Sequence, residues 1–141
     1  MERSLVYAIV DPGSCGRRLR ALSAIICSKL ESRPNLKVVG EASDGLEAVE
    51  KAQALKPNLI LLDIGLPGLN GIEAAHRISR LIPKATILFV SQISDADVVQ
   101  EALRNGAKGY VWKPDAGIDL MLAIEVALRG AHFVSSKLVK P

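Results

Sequence analysis

Four of the five short apolar runs in this 141-residue sequence are followed at once by a residue that can take part in chemistry. The runs cover residues 5–10, 36–39, 59–62, 86–90 and 109–112. Asp11, Asp63, Ser91 and Lys113 come directly after the first, third, fourth and fifth runs. Two carboxylates, a hydroxyl and an ammonium suit one chemistry in particular, the transfer of a phosphoryl group to a carboxylate.

Each of these side chains has an expected role in that reaction. Asp63 is the predicted nucleophile, and a divalent cation held by Asp11 and Asp63 would screen the charge between carboxylate and phosphate. Lys113 and Ser91 would contact the transferred oxygens. Because a phosphoryl group adds charge and strong acceptors, Ser91 would move toward it and open space for Tyr110, three residues before Lys113.

The apolar runs themselves predict a parallel sheet. They are too short for helices and nearly continuous, which is typical of strands covered on both faces. Stretches with helical spacing lie between them, so strand and helix alternate five times. The prediction is an α/β fold with a single doubly wound, five-stranded parallel sheet in the order 2-1-3-4-5, flavodoxin-like, with five helices. In that order the four reactive strand ends meet in one pocket.

Helix boundaries agree with this reading. Starts are expected at Ser43 or Asp44, at Asn70, and at Ser94 or Asp95, and stops at Asn105-Gly106 and Arg129-Gly130.

Composition narrows the class of protein. The length suits one domain, and 49% hydrophobic with 23% charged residues is typical of a folded chain. A net charge of +3, spread along the chain, does not indicate nucleic-acid binding. The two cysteines form no metal or disulfide pattern, and no apolar run is long enough to cross a membrane, so a cytoplasmic location is expected.

At these residues the sequence resembles a known family. The segments at 8–11, 61–67, 70–71, 90–91 and 106–114 are similar, in order and spacing, to the receiver domain of two-component response regulators. The segment 127–136 is similar to the connector that precedes a LuxR-type helix-turn-helix in one transcription-regulating subgroup. We therefore expect a receiver domain over residues 1–129, and a tail or truncated linker over 130–141, without the DNA-binding output domain.

The resemblance implies specific roles. It implies that Asp63 is the phospho-acceptor, that Lys113 and Ser91 bind the phosphoryl group, that Tyr110 is a rotating switch aromatic, and that Gly65 lends its backbone carbonyl to Mg²⁺. It also implies a cis bond between Lys113 and Pro114, a histidine kinase as phosphodonor, and no enzymatic activity beyond self-phosphorylation.

A homodimer is implied as well, through the face of the fourth helix, fifth strand and fifth helix. Its candidate residues are Leu103, Tyr110, Ile118 and Met121.

One position departs from the family pattern. The family has two adjacent acids at the end of the first strand, whereas Pro12 follows Asp11 here. Losing one carboxylate near a divalent ion predicts that Mg²⁺ binds about tenfold more weakly or worse. The alternative function is therefore a pseudo-receiver, a protein-interaction module that works without phosphorylation.

Simpler interpretations of the single residues stay open. Asp63 could cap a loop, Asp11-Pro12-Gly13 could be only a turn, Ser91 could cap the loop that follows it, and Tyr110 could be a packing residue. A haloacid dehalogenase-type phosphatase is disfavoured, because position 65 is glycine where that chemistry needs an acid. A nucleotide-binding glycine loop after the first strand is not evident.

Overall fold

The computed structural model describes residues 4–9, 32, 36–42, 44–65 and 68–135, with the main chain alone for 4–9 and 37–41. Asp11, Pro12 and the first predicted helix lie outside the described residues.

The strands form one parallel sheet. They are β1 Ser4–Ile9, β2 Leu36–Glu41, β3 Leu59–Leu62, β4 Thr86–Ser91, β5 Gly109–Trp112 and β6 Phe133–Val134. Their order is β2-β1-β3-β4-β5-β6, and every neighbouring pair is parallel. The predicted order of the first five strands is confirmed, so the carboxyl ends of β3, β4 and β5 lie side by side at one edge.

The described α-helices are α1 Gly45–Leu55, α2 Gly71–Leu81, α3 Ala96–Arg104 and α4 Ala116–Leu128, with a 3₁₀ helix at Lys113–Asp115. They are the predicted second to fifth helices. Asp44, Asn70 and Asp95 cap α1 to α3 by accepting hydrogen bonds from backbone N–H groups, which stabilises each helix start. Gly106 and Gly130 follow α3 and α4 with positive φ, as the predicted stops require.

The sheet carries a core on each face. On one face, Ile60, Leu62 and Phe89 pack with residues of α1, α2 and α3. On the other face, Leu59, Leu61 and the buried side of α4 pack together. Successive side chains of a strand point to opposite faces, so a strand buried on both faces needs an unbroken apolar run. This explains why β3 is apolar throughout.

The sheet has six strands where the sequence predicted five. The Phe133 N–H donates to the Lys108 carbonyl at 3.1 Å, and the Ser135 N–H donates to the Tyr110 carbonyl at 3.0 Å. A Cβ on Gly109 would lie 2.5 Å from the Phe133 carbonyl oxygen, so the glycine lets β6 approach. The sheet therefore extends into the segment that the sequence assigned to a tail, because backbone pairing needs no long apolar run.

None of the described helices combines the length and the apolar character needed to span a lipid bilayer.

The connection between β3 and α2 folds back tightly on the end of β3. The Gly71 N–H donates to the Ile64 carbonyl at 2.8 Å. A Cβ built on Gly71 would lie 2.1 Å from the Asp63 carbonyl oxygen and 2.7 Å from the Ile64 Cα. Only a residue without a side chain fits this approach.

We expect Gly71→Ala to lower the free energy of unfolding by about 3 kcal/mol, since the new methyl group would displace backbone atoms. Helix propensity alone predicts the opposite sign, a gain of up to about 1 kcal/mol. Urea denaturation measures the change. Gly65→Ala is the control, because the nearest described atom to its Cβ would be the Asp63 Oδ1 atom, at 4.0 Å. A Gly71→Ala chain as stable as the unaltered one would contradict the packing described.

Candidate functional site

Asp63 stands at the carboxyl end of the buried strand β3. All four residues of β3 are buried, and the chain leaves the strand at Asp63. The Asp63 side chain keeps 12% of its surface exposed. It therefore lies mostly buried at the carboxyl edge of the sheet and retains some contact with solvent. Its Oδ1 atom accepts a hydrogen bond from the Gly65 N–H at 3.1 Å.

Lys113 reaches the same carboxylate from the end of β5. Its Nζ atom lies 2.8 Å from the Asp63 Oδ2 atom, across 50 residues of sequence. The lysine side chain is only 2% exposed. A lysine is rarely buried so fully unless it is paired, so this ion pair is a specific arrangement and confirms that the strand ends converge.

Ser91 ends β4, the strand between the other two. It is 1% exposed, and its Oγ atom accepts a hydrogen bond from the Ile93 N–H at 3.2 Å. A serine hydroxyl has one donor and two acceptor positions, so this contact leaves its proton available to another acceptor. The interpretation of Ser91 as a loop cap is thus compatible with a second role.

Tyr110 is completely buried on β5. Its hydroxyl donates to the Ile93 carbonyl at 2.7 Å, and its ring lies 6.0 Å from that of Phe89, centroid to centroid. Burial raises the pKa of the Tyr110 phenol above its ordinary value of 10.0, with the Ser91 hydroxyl lowering it and the Asp63 charge raising it. The burial of Tyr110 removes it from the exposed dimer face on which the sequence placed it, because β5 lies between two neighbouring strands and under α3.

Two residues that the sequence did not single out join these side chains. The Ile93 carbonyl accepts from Tyr110, and the Ile93 N–H donates to Ser91. Next to it, the Gln92 carbonyl accepts from the Trp112 indole N–H at 3.2 Å. These contacts use main-chain atoms of Gln92 and Ile93, so no residue type in the sequence could reveal them.

The remaining predicted site residues divide into three cases. Asp11, together with Pro12, lies outside the described residues, so the second predicted carboxylate is not placed. Gly65 lies on the exposed loop two residues beyond Asp63. The Lys113–Pro114 bond is trans, since the described residues contain no cis peptide bond. Pro114 instead lies in a 3₁₀ turn closed by the Ala116 N–H on the Lys113 carbonyl, and the prediction of a cis bond is wrong.

The described residues fit a hard divalent cation only in part. They supply the Asp63 carboxylate and the Gly65 carbonyl, which are the oxygen donors that Mg²⁺ takes together with several waters. Across the described ranges, no cluster of three or more His, Cys, Asp or Glu residues could enclose a metal ion. A cation here would depend on solvent and on Asp11.

The raised pKa of Tyr110 predicts a loss of stability at high pH. Below pH 10 the phenol is protonated in the folded and the unfolded chain, and its contribution is fully present. As pH rises past 10.0, the unfolded phenol ionises first, so the free energy of unfolding falls until the folded phenol also ionises. The slope approaches about 1.4 kcal/mol per pH unit.

Urea denaturation of the unaltered chain and Tyr110→Phe, from about pH 8 to about pH 11, tests this. At neutral pH the variant should be about 1 kcal/mol less stable, because it lacks the hydrogen bond to Ile93. That difference should shrink above pH 10. Parallel curves would show that the phenol does not carry the pH dependence.

Comparison with known proteins agrees with this geometry. The family model described as the response regulator receiver domain matches residues 20–125. The chain is 36% identical to the oxygen regulatory protein NreC of Staphylococcus aureus over 110 residues, 77% of this chain and 51% of that protein. It is 49% identical to a protein-glutamate methylesterase/protein-glutamine glutaminase of Thermotoga maritima over 92 residues, 64% of this chain and 27% of that protein.

A solved structure shows the same fold over nearly the whole chain. It is a LuxR-family two-component response regulator from an Aurantimonas species, with a TM-score of 0.85, 27% identity, and coverage of 97% of this chain and 93% of that one. The chain spans about half or less of the length of the two curated relatives. Its match to the family model covers most of its own residues, and the chain belongs to the family of response regulator receiver domains of two-component signalling.

Proposed function

We propose that this receiver domain accepts a phosphoryl group on Asp63 from a histidine kinase and responds by rearranging the β4–α3 loop. The observation that carries the proposal is the contact between Lys113 Nζ and Asp63 Oδ2 at 2.8 Å, in a site where the carboxylate still reaches solvent. A phosphodonor can approach the carboxylate, and the Lys113 ammonium group, which would neutralise charge on the product, already contacts it.

The reaction forms one bond and breaks one. An oxygen of the Asp63 carboxylate forms a bond to phosphorus, while the bond between phosphorus and the donor's imidazole nitrogen breaks and its electron pair stays with the imidazole. Lys113 balances the added charge on the phosphoryl oxygens. The Ser91 hydroxyl, with its proton available, donates to one of those oxygens.

The switch follows from the position of Ser91. When the hydroxyl is drawn toward the phosphoryl group, the space beside it is filled by the ring of Tyr110, whose hydroxyl bonds to the Ile93 carbonyl. We assign the fully buried position of Tyr110 to this arrangement. The loop at 92–93 and the helix α3 that follows it carry the change outward.

Mg²⁺ belongs to the proposal with a reduced affinity. When bound, the ion would screen the repulsion between the carboxylate and the incoming phosphoryl group. Asp63 and the Gly65 carbonyl would hold it together with Asp11, but Pro12 replaces the second acid that the family pattern has.

The partners and the location are part of the same proposal. A cytoplasmic histidine kinase would be the donor, and a second copy could dock on the outer side of α4, where Ile118 is 84% and Leu122 is 51% exposed. Leu103 and Met121 are partly buried against the two cores and would contribute less than the sequence suggested.

Incubation with acetyl phosphate and excess Mg²⁺ tests the acceptor. Intact-mass spectrometry should show the gain of one phosphoryl group, and Asp63→Asn should abolish it. Asp97→Asn, at an exposed acid in the first turn of α3, should keep it and serves as the matched control. No mass gain at saturating Mg²⁺ would favour the pseudo-receiver.

Restoring the missing acid tests the metal. We expect Pro12→Asp to raise the affinity for Mg²⁺ by about tenfold or more, because it returns a carboxylate close to the divalent charge. Isothermal titration calorimetry measures the affinity, and Asp63→Asn in the same background should remove the gain. An unchanged affinity would mean that position 12 does not limit metal binding.

A further inference from the structure

We propose that Ser135, on the chain just after β6, is a positioning residue for the phosphoryl site, so that docking of β6 and occupancy of Asp63 strengthen each other. The inference rests on the proposed function and goes beyond it by naming the segment to which the signal is passed.

Ser135 is completely buried, although it follows the last and shortest strand. Its N–H donates to the Tyr110 carbonyl at 3.0 Å. Its Oγ atom accepts from the Trp112 N–H at 2.9 Å and donates to the Asp119 Oδ2 atom at 3.0 Å. Because an ionised carboxylate only accepts hydrogen bonds, Asp119 fixes the hydroxyl proton on its side and leaves the oxygen lone pair for Trp112.

The same two residues of β5 hold the loop beside the phosphoryl site. Tyr110 and Trp112 are two positions apart, so their side chains leave the same face of the sheet. The Tyr110 hydroxyl donates to the Ile93 carbonyl, and the Trp112 indole donates to the Gln92 carbonyl. The Ile93 N–H in turn donates to Ser91. Tyr110 and Trp112 thus bond to Ser135 through their main chains and to the loop through their side chains.

The sign of the coupling follows from the state of Tyr110. The contacts of Ser135 occur in a structure whose Tyr110 ring is buried, the arrangement assigned above to the occupied site. Docking of β6 therefore favours the conformation that binds the phosphoryl group. Because coupling between two binding events is reciprocal, the phosphoryl group must strengthen the docking of β6 by the same factor.

The test uses beryllofluoride with excess Mg²⁺ as the phosphoryl mimic. Isothermal titration calorimetry should give about fivefold weaker binding for Ser135→Ala than for the unaltered chain, the equivalent of one hydrogen bond. In the unaltered chain, the mimic should slow hydrogen exchange of the Ser135 amide by a similar factor. Ser79→Ala is the matched control, because within the described residues its hydroxyl donates to the His76 carbonyl of the same helix, α2. This variant should bind the mimic normally.

Asp119→Ala provides a second test in case the Ser135→Ala chain folds poorly. It leaves the serine in place but removes the acceptor that orients it, and it should weaken binding in the same direction by a smaller factor. A purely structural role would lower stability to urea without changing the affinity for the mimic.

The outcomes separate the two proposals. If the unaltered chain binds the mimic and both variants bind it equally well, the inference about Ser135 is wrong and the proposed function stands. If the unaltered chain does not bind the mimic at saturating Mg²⁺, the proposed function is wrong and the inference falls with it.

Discussion

The site depends on an ion pair between two residues that are 50 positions apart in the chain. Removing a carboxylate and an ammonium from water is costly, and their attraction offsets that cost only when the geometry is close and fixed. The parallel sheet provides this geometry, because β3 and β5 are held on either side of β4 with continuous backbone pairing. The buried apolar side chains of β3 and β4 keep the strands in register, and the polar residues meet only where the strands end.

A second set of contacts joins the site to the loop between β4 and α3. Ser91 and Tyr110 lie close together, since the Ser91 hydroxyl lowers the pKa of the Tyr110 phenol against the larger effect of burial. The Ile93 N–H donates to Ser91 and the Ile93 carbonyl accepts from Tyr110, so the two peptide groups that flank the Ile93 Cα join these residues. The planar peptide unit that joins Gln92 to Ile93 donates its N–H to Ser91 and accepts from the Trp112 indole at its carbonyl.

The sequence predicted the fold well because strand burial and helix capping are local signals. The unbroken apolar run of β3 indicates a buried strand without reference to the rest of the chain. Helix starts are likewise indicated locally by the cap residues Asp44, Asn70 and Asp95. The convergence of Asp63 and Lys113 followed from the strand order, which local patterns combined with connection rules could supply.

Other features could not be predicted, since they depend on contacts made after folding. β6 has only two residues, Phe133 and Val134, which is too short a run to predict a strand, and Gly109 leaves room for the Phe133 main chain to pair. The isomer of the Lys113–Pro114 bond is set by the turn that the folded chain forms there. Likewise, the exposure of Tyr110 depends on the face of β5 from which its ring projects. The sequence of a strand predicts which face is buried only when polar residues alternate with apolar ones.

The direction of β6 has a geometric consequence for the polypeptide as a whole. Helix α4 runs away from the edge that holds Asp63, so the end of α4 lies at the opposite edge of the sheet. Because β6 is parallel to β5, it carries the backbone forward again, and Ser135 arrives beside Trp112, one residue from Lys113. The last described residue, Ser135, thus lies at the rim that holds Asp63 and Lys113, which is the rim that the proposed phosphodonor would approach.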